Sequence, residues 1–126
     1  MIPWVVLDTA PVPGGSDPLR LLQRGTEFSI QLGHNELMNS RLSGSEEALA
    51  TLTAGRLGSR RNPCWLIGGY GMGFTLRAAL DAQPGEARIV LAELVPAVLD
   101  WGRGPLATVS EAARADPRVE ARVADV

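Results

Sequence analysis

Gly69, Gly71 and Gly73 stand at alternate positions directly after the apolar run Cys64-Trp65-Leu66-Ile67 and directly before Phe74 to Asp81, a stretch of helical composition. Glycines placed there let backbone N–H groups and a helix N-terminus approach a ligand that side chains would hold off. Glu93 closes a second apolar run, Ile89-Val90-Leu91-Ala92, at about the 20-residue separation from the glycines expected of an acid that accepts hydrogen bonds from ribose hydroxyls. Asp125 follows a third run, where a carboxylate could accept from an adenine amino group. Glycines, Glu and Asp at successive strand ends are the ingredients of nucleoside recognition. The glycine pattern is not the dinucleotide fingerprint, because Phe74 or Leu76 stands where its last glycine would be, and no Gly-Lys-Ser/Thr marks a P-loop.

The elements that must position these residues follow from the apolar pattern. From residue 63 the order is strand (Cys64 to Ile67), helix (Phe74 to Asp81, ended by Pro84-Gly85), strand (Arg88 to Glu93), helix, and strand (Arg118 to Val123). The second helical region reads as Val95 to Trp101 and Pro105 to Arg114, broken near Gly102-Arg103-Gly104-Pro105. Apolar rather than alternating strands predict a parallel sheet covered on both faces. Upstream, Ser43 with Glu46 fits a capping box opening a helix that stops near Gly55 to Gly58. Leu19 to Gln23, Glu27 to Leu32 and Glu36 to Ser40, divided by Arg24-Gly25-Thr26 and Gly33-His34-Asn35, predict an antiparallel meander. A short strand, Trp4 to Leu7, precedes a Pro- and Gly-rich loop, Asp8 to Pro18. The expected fold class is α/β, a partial Rossmann-like parallel sheet preceded by a small antiparallel β-meander. Its parts are a meander region (1–42), a connecting helix and loop (43–62) and a nucleoside-binding half-domain (63–126).

With 126 residues the chain has the length of about one domain. Hydrophobic residues at 45%, charged residues at 21% and a net charge of −2 predict an ordinary globular core. A pI near 5.3 without a Lys/Arg block argues against a nucleic-acid partner. No apolar run is long enough to span a membrane, and Met1-Ile2-Pro3-Trp4 lacks the features of a signal peptide, so the expected location is cytoplasmic. The lone Cys64 is expected to be a buried core thiol and His34 an exposed turn residue, with Trp4, Trp65 and Trp101 in the core.

Leu66-Ile67-Gly68-Gly69-Tyr70-Gly71-Met72-Gly73, Leu91-Ala92-Glu93-Leu94 and Asp116-Pro117-Arg118-Val119 through Ala124-Asp125 together resemble class I S-adenosylmethionine-dependent methyltransferases. Within that superfamily the best resemblance is to the spermidine synthase (polyamine aminopropyltransferase) branch. Glu36-Leu37-Met38-Asn39-Ser40 and Ser45-Glu46-Glu47-Ala48-Leu49 look like its β-hairpin domain and connecting helix, so the resemblance runs over residues 19–126. It implies that Gly69, Gly71 and Gly73 lie under the methionine or aminopropyl portion of a donor, that Glu93 holds the ribose, that Leu94 packs on the adenine and that Asp125 meets the adenine amino group. The implied donor is S-adenosylmethionine or its decarboxylated form, the acceptor an amine or other small molecule, with no metal and with a homodimer as the assembly.

Four positions depart from that branch. Gly71 stands where its glycine loop carries an acid, Ser45-Glu46 where it carries Tyr-His, and Val95 where an acid follows the ribose-binding Glu. The family's sheet continues past a third strand, and its catalytic Asp follows the fourth, so no catalytic residue is assigned here. A truncated chain, inactive alone, with one sheet edge unpaired and one face partly uncovered, is the expectation. A small-molecule methyltransferase and a non-catalytic, self-associating interaction module remain open as alternatives.

Overall fold

The computed structural model describes residues 2–83 and 85–126, apart from the side chain at position 111. It forms two compact units, Met1–Ser43 and Gly44–Val126.

The first unit is an antiparallel meander of β1 (Val5–Ala10), β2 (Leu19–Arg24), β3 (Glu27–Leu32) and β4 (Asn35–Asn39), in that order across the sheet. Arg24 pairs with Glu27 and Leu32 with Asn35, so each tight hairpin has a two-residue loop. Each loop starts with a glycine at φ 59°, Gly25 and Gly33, as a II′ hairpin turn requires. His34 is exposed in the second loop. Leu19, Leu21, Phe28 and Ile30 are buried on one face of the meander. On the other, Asn39 Nδ2 and Ser29 Oγ donate to the Glu36 carboxylate at 2.6 and 2.9 Å and hold its pKa below the ordinary value. The first strand is longer than expected. Asp8-Thr9-Ala10, read as loop, pairs with Leu21, Arg20 and Leu19 after a bulge between Val6 and Asp8. As an edge strand it accommodates that irregularity, and it stops before Pro11.

The second unit carries α1 (Gly44–Leu57), β5 (Cys64–Gly68), α2 (Phe74–Ala82), β6 (Arg88–Glu93), α3 (Pro96–Arg103), α4 (Ala107–Arg114) and β7 (Val119–Val123). The strands form a parallel sheet in the order β5-β6-β7, with Trp65 beside Ile89 and Ile89 beside Val119. Trp65, Ile67, Ile89 and Leu91 are buried on one face, whereas Leu66 on the other is 67% exposed and Cys64 is exposed. The helices therefore cover one face only. That agrees with the expectation of a partly uncovered face and corrects the first reading of the apolar runs, coverage of both faces, together with a buried Cys64; both errors have one cause, that an apolar run does not reveal how many layers of helix accompany it. Trp101 is buried in α3, while Trp4 is half-buried with Arg24 over its ring. Pro84, half of the expected helix stop, lies outside the described residues; α2 ends at Ala82. Among the described residues no helix is long and apolar enough to cross a membrane.

Two local arrangements fix the unit. Arg118, just before β7, donates Nη1 to Gln83 O at 2.8 Å and Nη2 to Leu80 O at 3.4 Å, satisfying carbonyls at the C-terminal end of α2. Asp116 holds the same guanidinium through Nε and Nη2, both at 3.0 Å, and these bonds lower the Asp116 pKa. The second arrangement is the Tyr70 ring, which lies between α3 and α4. Its Oη donates to Ser110 O at 3.2 Å, and a Cβ added at Gly102 would fall 2.8 Å from the ring. Gly102, read as a helix breaker, thus lies inside α3 and makes room for Tyr70; the break follows at Gly104 to Leu106.

Gly102→Ala should lower unfolding free energy by about 1–3 kcal/mol, the usual cost of overpacking, in urea denaturation followed by circular dichroism. Arg118→Met should cost roughly 1–3 kcal/mol in the same assay, because it strands the α2 carbonyls and the Asp116 carboxylate. The folded pKa of Asp116 lies below its ordinary 3.8, so its contribution is complete above that value and is lost as pH falls through the lower folded pKa. Asp116→Asn should accordingly flatten the acid limb of the stability–pH curve and leave its slope near neutrality unchanged.

Candidate functional site

The candidate site lies where β5, β6 and β7 end. After β5 the chain turns through Gly69, Gly71 and Gly73 at φ 91°, 54° and 81°, backbone that L side chains rarely adopt. The glycines serve different ends. A Cβ at Gly69 would meet nothing within 4 Å, so only the backbone conformation demands glycine there, and the surface above it is open. A Cβ at Gly73 would fall 2.9 Å from Ser110 Cβ and 3.2 Å from Tyr70 Oη, so Gly73 is also required by packing. Gly73 is the N-cap of α2 and provides no side-chain cap, which leaves first-turn N–H groups directed toward the loop.

Glu93 ends β6 and is only 8% exposed. Its Oε1 accepts the Tyr70 N–H at 2.8 Å and its Oε2 accepts the Val95 N–H at 3.0 Å. One carboxylate thus joins the glycine loop to the turn that starts α3. A carboxylate offers about four acceptor positions, so these two bonds leave capacity for a diol. Gly69 N donates to Ala92 O at 2.7 Å, and Ala124 N to Glu93 O at 3.0 Å, so the ladder extends beyond the regular strands. Leu94 is half-buried beside Glu93.

The structure brings Gly69, Gly71, Gly73, Glu93 and Leu94 to one end of the sheet. Asp125 follows the anchored Ala124 and is exposed, and no bond ties its carboxylate to Glu93 or to the loop. Val126 returns toward β5, since a Cβ at Gly68 would fall 3.2 Å from Val126 Cγ2. Sequence reasoning missed Tyr70, whose backbone N–H binds Glu93 and whose ring anchors the loop to α3 and α4. Its burial raises the phenol pKa, a raise partly offset by the bond to Ser110 and by nearby Arg114 and Arg77. The available signal was Gly102: glycine inside an apolar helical stretch marks a close approach. Among the described residues no group of three His, Cys, Asp or Glu could hold a metal ion.

No protein-family model matches the chain, and no curated protein matches it in sequence. Solved structures do match in three dimensions. Spermidine synthase from Thermotoga maritima superposes with a TM-score of 0.73 at 18% identity, over 95% of this chain and 40% of that one. A spermidine synthase in complex with the transition state analogue AdoDATO gives 0.72 at 18% identity, over 94% and 39%. A probable spermidine synthase from Corynebacterium glutamicum ATCC 13032 gives 0.60 at 14% identity, over 96% and 44%. The chain spans about two-fifths of the length of these structures and, over that span, has a spermidine synthase-like α/β fold.

Proposed function

We propose that the strand ends of the second unit form the donor-binding part of a spermidine synthase-like transferase, with S-adenosylmethionine or decarboxylated S-adenosylmethionine as donor. The observation that carries this reading is Glu93: a buried carboxylate, fixed by the Tyr70 and Val95 N–H groups, with acceptor capacity left where a ribose diol would lie. Gly69 leaves the neighbouring surface open for the sulfonium arm, Leu94 provides an apolar contact for the adenine, and Asp125 an acceptor for its amino group. The fold likeness supports the same reading, and a protein of that fold binds a transition-state analogue.

In aminopropyl transfer the amine nitrogen of a small acceptor attacks the carbon next to the sulfonium. The C–S bond breaks, its electron pair neutralises the sulfur as a thioether, and the amine loses a proton to a base. The residues named here bind and orient the donor, and orientation supplies much of the rate in such displacements. No residue of this chain is assigned as the base, and the proposal extends to donor binding.

A second reading, methyl transfer, is favoured by one observation. The loop from Gly69 to Gly73 carries no acid, and α2 begins with uncapped N–H groups, a setting better suited to a donor that keeps its carboxylate.

Calorimetric titration with S-adenosylmethionine, its decarboxylated form and 5′-methylthioadenosine tests both readings. All three should bind, and Glu93→Gln should weaken each by about tenfold or more, the equivalent of roughly 1.4 kcal/mol. Asp125→Ala should cost about 2–10-fold, as loss of one hydrogen bond does. Tighter binding of the decarboxylated donor would select aminopropyl transfer, and tighter binding of S-adenosylmethionine methyl transfer. A folded chain that binds none of the three would refute the donor site.

A further inference from the structure

Arg103 and Arg114 end different helices, α3 and α4, yet both line one cleft of about 450 Å³ whose other walls are Ala115, Val119 and Ala121. Val119 and Ala121 pair with Ile89 and Leu91 across the parallel sheet and so share their helix-covered face. The helix layer thins at this margin: Leu91 is fully buried, whereas Ala121 beside it is exposed. The cleft reaches Val119, where β7 begins, and the candidate donor site lies at the other end, where the strands finish. Its volume falls within the roughly 300–1,000 Å³ of small-molecule sites.

The two arginines are differently prepared. Arg114 is half-buried and held at two points: its Nη1 donates to Leu99 O at 2.8 Å, and its guanidinium carbon lies 6.0 Å from the centroid of the Tyr70 ring. Its Nε and Nη2 are left as further donors. Arg103 is exposed, and among the described residues neither arginine forms an ion pair and no acid lines the cleft. Each arginine alone would serve its own helix end, where cations are favoured. That role does not account for two of them above one apolar floor.

We infer that the cleft binds a small phosphate monoester with a flat apolar body. Two guanidinium groups match the charge of about −1.5 to −2 that such a phosphate carries near neutral pH, whereas a carboxylate would satisfy one of them. Ala115, Val119 and Ala121 have short side chains and leave a shallow shelf against which a ring can lie. Because Arg114 is fixed before a ligand arrives, little of its side-chain freedom is lost on binding. The inference holds whether or not the strand ends bind a nucleoside donor.

Titration of the chain with phenyl phosphate, inorganic phosphate, benzoate and phenol tests it, followed by calorimetry and by heteronuclear NMR. Phenyl phosphate should bind the tightest of the four. With it, the amide signals of Ala115, Val119 and Ala121 should shift while those of Gly69 and Gly71 stay in place. Arg103→Gln, a change at an exposed side chain, should weaken phenyl phosphate about tenfold or more, as loss of a charge-assisted contact does, with an unchanged circular dichroism spectrum. Arg61→Gln removes the same charge from the exposed loop before β5 and should change the affinity by about twofold at most, since distant exposed charges are screened. Absence of phenyl phosphate binding overturns the inference, as does equally tight binding of benzoate or inorganic phosphate. Shifts confined to the glycine loop, or equal losses in Arg103→Gln and Arg61→Gln, overturn it too.

Discussion

The second unit depends on one buried carboxylate. Glu93 is the point at which three segments distant in sequence meet: the glycine loop through Tyr70 N–H, the start of α3 through Val95 N–H, and the extension of β7 through its own backbone carbonyl and Ala124 N–H. Burying an acid in this way costs desolvation, which two backbone donors at hydrogen-bond distance offset. A glutamine there would keep one acceptor and set its NH2 against the other amide, and a shorter side chain would leave the Tyr70 and Val95 amides without their partner. The feature that makes Glu93 a candidate ligand group also makes it structural, and the two roles share an atom set.

The Tyr70 ring extends that constraint into the helices. Gly73 and Gly102 are the two positions at which a methyl group would strike the ring or its neighbours, so loop, α3 and α4 are packed as one body around it. The loop consequently holds its shape through packing on one side and through Glu93 on the other. A donor that entered would meet a surface already ordered, and the ordering cost that flexible loops add to binding would be small.

Much of this was legible in the chain itself. The three parallel strands and both hairpins followed from runs of apolar residues ended by glycines, because backbone geometry at Gly25, Gly33 and Gly69 is dictated locally. The boundaries of β3 and β6 fell where the pattern put them. Features that depend on a second layer were not legible. Cys64 and Leu66 look alike whether helices cover one face or two, and Asp8-Thr9-Ala10 became a strand through its partner β2 rather than through its own composition. The site was readable as positions but not as bonds. That Glu93 would hold Tyr70 and Val95 is a matter of loop path, which spacing does not specify.

The pairing distances within the two units imply different folding times. In the meander Arg24 meets Glu27 across a two-residue turn, and such hairpins close in microseconds. In the parallel sheet Cys64 must find Arg88 and Ile89 must find Val119, each after an intervening helical segment, and loop-closure entropy opposes both searches. The first unit should therefore form while the second is still an assembly of helices and unpaired strands. During that interval Trp65 and Ile67, destined for the helix-covered face, are as accessible as Leu66, and β5 is the segment through which a crowded solution of this chain would begin to aggregate.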